Sequence, residues 1–156
     1  MLVYIKITLL IITCFFIIYM MLKLRGNKIE KKSKNFLISS LIITIFLAFI
    51  IEIRPHHLLR SEFNISNLIT YLFYFIVVGT YFLFYMKLLS RNKYLLIIIS
   101  YILFGLANTV DLLSDGKIID FDYDEIIEGL LHILGIIFWL IFFIDFSKML
   151  KRNTGY

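Results

Sequence analysis

Five long apolar segments, separated by short charged stretches, are the feature that most limits how this chain can fold. They cover residues 2–22, 36–53, 68–89, 94–113 and 126–150. A membrane-spanning helix needs about 20 mainly apolar residues, with about 17–25 tolerated. Because unpaired backbone polar groups are not tolerated in hydrocarbon, each segment must be helical. The sequence therefore predicts an all-α, polytopic integral membrane protein, built as a bundle of five transmembrane helices.

The composition agrees with this class. The chain has 156 residues, of which 61% are hydrophobic and 17% are charged, whereas a soluble domain is usually about 45–50% apolar. The connecting stretches are too short for a second domain, so we expect one membrane domain over residues 1–156. The first segment lacks a basic start and a cleavage site, so it is expected to be a retained helix. Its one charged residue, Lys6, is expected to extend to the nearer membrane interface.

Basic residues predict the orientation of the bundle. The first loop, the third loop and the C-terminal tail are rich in Lys and Arg, whereas the second and fourth loops are not. Because basic loops stay in the cytoplasm, the N-terminus is expected outside and the C-terminus in the cytoplasm. The first loop is the most basic and is the expected contact for anionic lipid or a cytosolic partner, through Lys23, Arg25, Lys28, Lys31, Lys32 and Lys34. Without a basic helix or an aromatic–basic platform, no nucleic acid is expected as a partner.

Polar residues near the outer ends of the last two segments form the first candidate site. Glu128, His132, Gly135 and Trp139 follow helical spacing and share one face. Asn108 and Asp111 share a face near the same end of the preceding segment. Ionisable groups inside a span cost about 2.5–3.5 kcal/mol at its centre, so they suggest function. The group is interpreted as an outward pocket for a proton, a cation or a small ligand. The structural alternative is interfacial carboxylates with His132 in an interhelical hydrogen bond.

The second outer loop supplies further candidates, Arg54, His56 and His57. Histidines beside carboxylates are typical of zinc or copper sites. They are equally typical of a pH-sensitive surface, because histidine titrates near neutrality. Whether a metal binds is left open. No cofactor and no catalytic residue is expected, since no nucleophile–base spacing and no glycine-rich phosphate loop is present.

The last two segments contain a series of short motifs that also occurs in other proteins. Its parts are Leu103-Phe104-Gly105-Leu106, Asp111-Leu112-Leu113, Glu128-Gly129-Leu130-Leu131 and Leu134-Gly135-Ile136-Ile137. This C-terminal third resembles the membrane-embedded sensor modules that precede diguanylate cyclase and histidine kinase domains in bacteria. The resemblance implies a sensing or anchoring unit. Because the chain stops at Tyr156 without an output domain, we expect the output to lie in another polypeptide.

Three functions follow from these observations. The favoured one is a non-enzymatic sensor or anchor subunit that signals to or recruits a cytosolic partner, in signalling, stress response or phage defence. The first alternative is a small channel or proton- or ion-conducting subunit, including one of a respiratory complex. The second is a membrane-embedded enzyme that acts on lipid or uses a metal. Membrane lipids, a second copy of the chain and a separate cytosolic or membrane protein are the expected partners. The expected location is a bacterial inner or plasma membrane, with an organelle inner membrane as the alternative.

Overall fold

The computed structural model describes residues 2–23, 31–89, 94–115 and 123–153, and these ranges are almost entirely helical. They form six helices in chain order: α1 (Leu2–Lys23), α2 (Lys31–Ile53), α3 (Pro55–Phe63), α4 (Asn67–Leu89), α5 (Tyr94–Asp115) and α6 (Asp124–Asn153). All except α3 are long and apolar enough to cross a membrane. The predicted all-helical class is thus confirmed, and the five apolar helices suggest a multi-pass membrane protein.

Two features depart from the expected segment boundaries. Helix α2 begins at Lys31, five residues before the predicted apolar segment. Its first turn is made of lysines and other polar residues, so hydropathy did not mark it as part of the span. The second outer loop contains a helix, α3. Pro55 occupies the first turn of α3, a position where its fixed φ suits a helix start. Asn64 ends α3 in a left-handed conformation at φ 53°, and its N–H donates to the Leu59 carbonyl.

Aromatic side chains fill the centre of the bundle. Trp139, Phe142, Phe143 and Phe146 of α6 are at most 1% exposed, and Phe36 of α2 is fully buried among them. The Phe36 ring centroid lies 5.0 Å from that of Phe146. A stripe on α4 whose members share one face is also buried, and it consists of Tyr74, Val78, Tyr81 and Tyr85. The core is therefore built mainly by α2, α4 and α6.

Hydroxyl groups link these three helices within the apolar core. The Trp139 Nε1–H donates to Thr44 Oγ1 at 3.0 Å. The Ser40 and Tyr81 hydroxyls are hydrogen-bonded at 2.6 Å. Interhelical hydrogen bonds of this kind contribute about 0.6 kcal/mol on average in membrane proteins, so they fix helix register more than they add stability.

Helices α5 and α6 are in tight contact at Gly135. A Cβ atom at Gly135 would lie 2.9 Å from Cε1 of Phe104 on α5. The Ser100 hydroxyl of α5 donates to the Gly135 carbonyl at 2.7 Å. The absence of a side chain at Gly135 thus allows α5 to approach α6 closely.

The two ends of the bundle carry chemically different residues. Arg54 after α2 contacts Glu128 near the start of α6, and Tyr71 near the start of α4 contacts Asp111 near the end of α5. We call this the site end. The opposite end, which we call the basic end, carries the described lysines Lys23, Lys31, Lys32, Lys34, Lys87 and Lys148.

Candidate functional site

An ion pair joins the connection between α2 and α3 to α6. Arg54 Nη2 donates to Glu128 Oε1 at 3.1 Å and to Oε2 at 3.0 Å. The Glu128 side chain is 7% exposed and that of Arg54 is 36% exposed. Arg54 has a left-handed backbone, with φ 47° and ψ 56°. A non-glycine residue is uncommon in this region, and here the conformation accompanies the turn from α2 into Pro55.

His132 lies one helical turn after Glu128 and is 4% exposed. Its Nδ1 is 3.5 Å from Glu128 Oε1, which is within ion-pair distance. The Nδ1 atom has no aligned hydrogen-bond partner among the described atoms. The predicted proximity of Glu128 and His132 is therefore present as a close contact rather than as a hydrogen bond.

Lys6 of α1 also belongs to the polar group around Glu128 and His132, although the sequence did not indicate this. Its side chain was expected to extend to the interface, but the structure buries it at 4% exposure. Its positive charge acts on both Glu128 and His132. The packing of α1 against α6 explains the difference, because it leaves Lys6 facing the protein instead of lipid.

A second polar group is centred on Asp111. His56 Nε2 lies 3.1 Å from Asp111 Oδ2 and 3.0 Å from the Tyr71 hydroxyl. The Tyr71 hydroxyl also donates to Asp111 Oδ2. His56 is 2% exposed, so three polar atoms from α3, α4 and α5 meet in a largely water-free place. Tyr71 had no distinguishing sequence signal, since it is one of ten tyrosines.

The two groups act on each other through charge. The Arg54 guanidinium attracts Asp111 as well as Glu128, and the two carboxyl groups repel each other. Lys6 and Arg54 formally balance Asp111 and Glu128. Buried charges are tolerated only when they are compensated in this way. The site end is therefore one electrostatic network that involves every helix packed there.

His57 completes a cluster that has the donor atoms of a metal site. The ring centroids of His56 and His57 are 4.2 Å apart. One donor atom each from His56, His57 and Asp111 lies within 4.8 Å of the other two. The two candidate sites predicted separately from the sequence, the outer-loop histidines and the end of α5, thus meet at Asp111.

Asn108 lies beside this network instead of within it. It lines a cavity of about 230 Å³ among α2, α4, α5 and α6, together with Tyr71, Tyr74, Phe104 and His132. The cavity wall is mostly aromatic and aliphatic. Asn108 and His132 therefore share a cavity, whereas Asp111 and Glu128 belong to the adjoining charged network.

The predicted cytoplasmic contact residues lie at the opposite end. Lys23, Lys31 and Lys34 are exposed and Lys32 is half-buried. Lys23 Nζ lies 5.7 Å from the Tyr19 ring centroid, so its ammonium is held against α1. Arg25 and Lys28 lie outside the described residues.

Comparison with known proteins places the chain in a family. A family model described as "Domain of unknown function (DUF8692)" matches residues 1–146. The chain belongs to the DUF8692 family. The DUF8692 match includes Lys6, Arg54, Asp111 and Glu128, so the whole site end lies inside it. No curated protein and no solved structure matches the chain. The resemblance to bacterial sensor modules stays a prediction.

Proposed function

We propose that this chain is a non-enzymatic membrane sensor or anchor subunit. Its input is the charged network at the site end, and its output is the basic end, where it signals to or recruits a cytosolic partner. The observation that carries the proposal is the Arg54–Glu128 ion pair. It connects α3, the one short helix among the described residues, to α6, which is 30 residues long and reaches the basic end.

The Arg54–Glu128 pair can transmit a movement of α3 to α6 because of where its two residues lie. Arg54 belongs to a two-helix connection with a left-handed backbone, so a small rotation there would reorient α3. Glu128 lies near the start of α6, which is rigidly packed by its buried aromatic residues. Packed helices shift as units by about 1–2 Å in switching proteins. A ligand that strengthens or weakens the contact of Arg54 with Glu128 would therefore act on the whole of α6.

The orientation in this proposal follows the distribution of charge. The basic end collects Lys23 of α1 and the described lysines of α2, α4 and α6, and the positive-inside rule assigns that end to the cytoplasm. The N-terminus and the site end are then outside. A bacterial inner or plasma membrane is the proposed location.

The packing below the site end favours a sensor over an ion-conducting subunit. Among the described residues, Ile136 and Trp139 follow His132 along the inner face of α6, and they are at most 1% exposed. Phe104 of α5 lies against Gly135 at the same level. An ion path through one chain would have to cross this apolar layer. The charged groups thus form a site at one end instead of a row through the bundle.

Purification from native membranes in mild detergent, followed by quantitative mass spectrometry, tests the proposal. We expect a cytosolic protein at fixed stoichiometry, with or without self-association of the chain. Replacing Lys31, Lys32 and Lys34 with Ser should remove that protein while membrane insertion survives. Arg60→Ser, which removes an exposed positive charge at the site end, is the matched control. A chain that emerges alone and conducts ions in liposomes, with conduction lost in His132→Ala, would overturn the proposal.

A further inference from the structure

We propose that His56, His57 and Asp111 form a binding site for a divalent transition-metal ion of the zinc class. The three side chains come from the start of α3 and the end of α5, and they offer two imidazoles and one carboxylate. This inference names the ligand of the input site and so rests on the proposed function for its biological role, though not for its chemistry.

The donor spacing is close to what a metal ion requires. Zinc binds imidazole nitrogen and carboxylate oxygen at about 2.0–2.2 Å in tetrahedral geometry, so neighbouring ligand atoms lie about 3.3 Å apart. His56 Nε2 and Asp111 Oδ2 are 3.1 Å apart. His57 offers a donor within 4.8 Å of both, and a shift of its side chain toward the other two would complete the set.

The surroundings supply the other features of a metal site. The side chains of His56 and Asp111 are 3% and 12% exposed, so these two ligands are held in place by packing. The Tyr71 hydroxyl contacts the same two atoms, His56 Nε2 and Asp111 Oδ2, so a metal ion bound there would take over the contacts that this hydroxyl now makes. The three ligands leave a fourth position for water, which is the pattern of an open zinc site.

The donor set selects the kind of metal. Calcium and magnesium prefer oxygen ligands in larger number, and two of these three donors are imidazoles. Imidazole with carboxylate suits zinc, copper, nickel and cobalt. We therefore expect Zn²⁺ to bind well, Co²⁺ to serve as a spectroscopic substitute, and Mg²⁺ not to compete.

A bound cation would act on the ion pair through charge. Arg54 is close enough to Asp111 for its charge to attract that carboxyl group. A divalent ion on Asp111 would replace this attraction with repulsion, while Glu128 stays available to Arg54 at 3.0 Å. Because Arg54 already contacts Glu128, metal binding would strengthen this ion pair and loss of the metal would weaken it, so the metal would set how firmly Arg54 is held on α6.

The test is a titration of the purified full chain, carrying an affinity tag without histidine and freed of metal by a chelator. We expect one Co²⁺ per chain, detected by its visible absorption, and its displacement by Zn²⁺. His57→Ala and Asp111→Asn should each weaken binding at least about 10-fold. Glu62→Gln, which removes an exposed carboxylate from the same helix, should leave it unchanged. Fluorescence of Trp139, the one tryptophan of the chain, verifies that each variant is folded.

Two results would overturn the metal site: no Co²⁺ binding by the folded wild type, or equal binding by the wild type and His57→Ala. Partner association is measured separately, with and without the chelator. Metal binding that leaves partner association unchanged supports the site and contradicts its input role. Absence of metal binding, with partner association altered by Arg54→Gln, contradicts the site and supports the proposed function.

Discussion

A single nitrogen of Arg54 bridges both carboxylate oxygens of Glu128, with Nη2 3.1 Å from Oε1 and 3.0 Å from Oε2. The two residues are 74 positions apart. The left-handed backbone at Arg54 costs about 1–2 kcal/mol relative to a right-handed one. The ion pair helps to offset that cost, and it supplies a hydrogen-bonded cation to the buried Glu128 carboxylate.

Arg54→Ala should destabilise the protein because Glu128 then keeps a buried charge without its nearest cation. Breaking a fully buried pair costs about 3–5 kcal/mol. Since the Arg54 side chain is 36% exposed, we expect a smaller loss, about 1–3 kcal/mol, measured by thermal unfolding in detergent. Adding Glu128→Gln should recover part of the loss. Arg60→Ala, at an exposed position on α3, should change stability by less than about 0.5 kcal/mol. Equal losses in Arg54→Ala and Arg60→Ala would contradict this role.

Lys6→Met distinguishes a buried, compensating lysine from one that extends to the interface. If the Lys6 charge compensates Glu128, its removal should destabilise the fold by about 1–3 kcal/mol, as for an unpaired buried group. Pairing Lys6→Met with Glu128→Gln restores the balance of charge and should lose less than Lys6→Met alone. Lys148→Met, whose side chain is 66% exposed at the basic end, is the control. A Lys6→Met protein as stable as wild type would show that the ammonium does not serve the network.

Gly135→Ala should separate α5 and α6. The new Cβ would lie 2.9 Å from a buried ring atom of Phe104, and overpacking of this kind costs about 1–3 kcal/mol. The gain in helix propensity from Gly to Ala, about 1 kcal/mol, offsets only part of it. Gly105→Ala has nothing within 4 Å of its Cβ and should be neutral or stabilising. Thermal unfolding of the two variants gives the comparison, and a Gly135→Ala protein that matches Gly105→Ala would refute the close approach.

Thr44→Val should remove the partner of the Trp139 indole. The hydrogen bond of 3.0 Å is expected to contribute about 0.6 kcal/mol, and at most about 1.7. A double-mutant cycle with Trp139→Phe isolates this term. Because Trp139 is the one tryptophan, Thr44→Val should also shift its emission to shorter wavelength. An unchanged spectrum together with zero coupling energy would show that the bond does not form in the membrane protein.

Hydropathy was sufficient to predict the long helices but not all of their limits. The apolar segments had the length of membrane spans, and all five appear as helices. The start of α2 was missed because Lys31, Lys32 and Lys34 carry no hydropathy signal, although lysine is a good helix former. Helix α3 was missed because it has only nine residues, too few for a membrane span.

The candidate site could be predicted along single helices but not between them. The spacing of Glu128 and His132 indicated a shared face, and the structure confirms that both are buried. The partners of these residues depend on how helices dock, and that information is not local. Arg54 and Glu128 were assigned to different groups for this reason. Lys6 was misjudged because rotation of α1 decides whether it faces lipid or protein.

Transmission from the site end to the basic end through α6 is the central claim, and paired spin labels test it most directly. Labels on Lys148→Cys of α6 and Lys31→Cys of α2, in a Cys14→Ser background, report the distance between these helices at the basic end. We expect Arg54→Gln to change the mean distance by about 1–2 Å or more, as in other helix shifts, and Arg60→Gln to leave it unchanged. Superimposable distance distributions for wild type and Arg54→Gln would contradict the account.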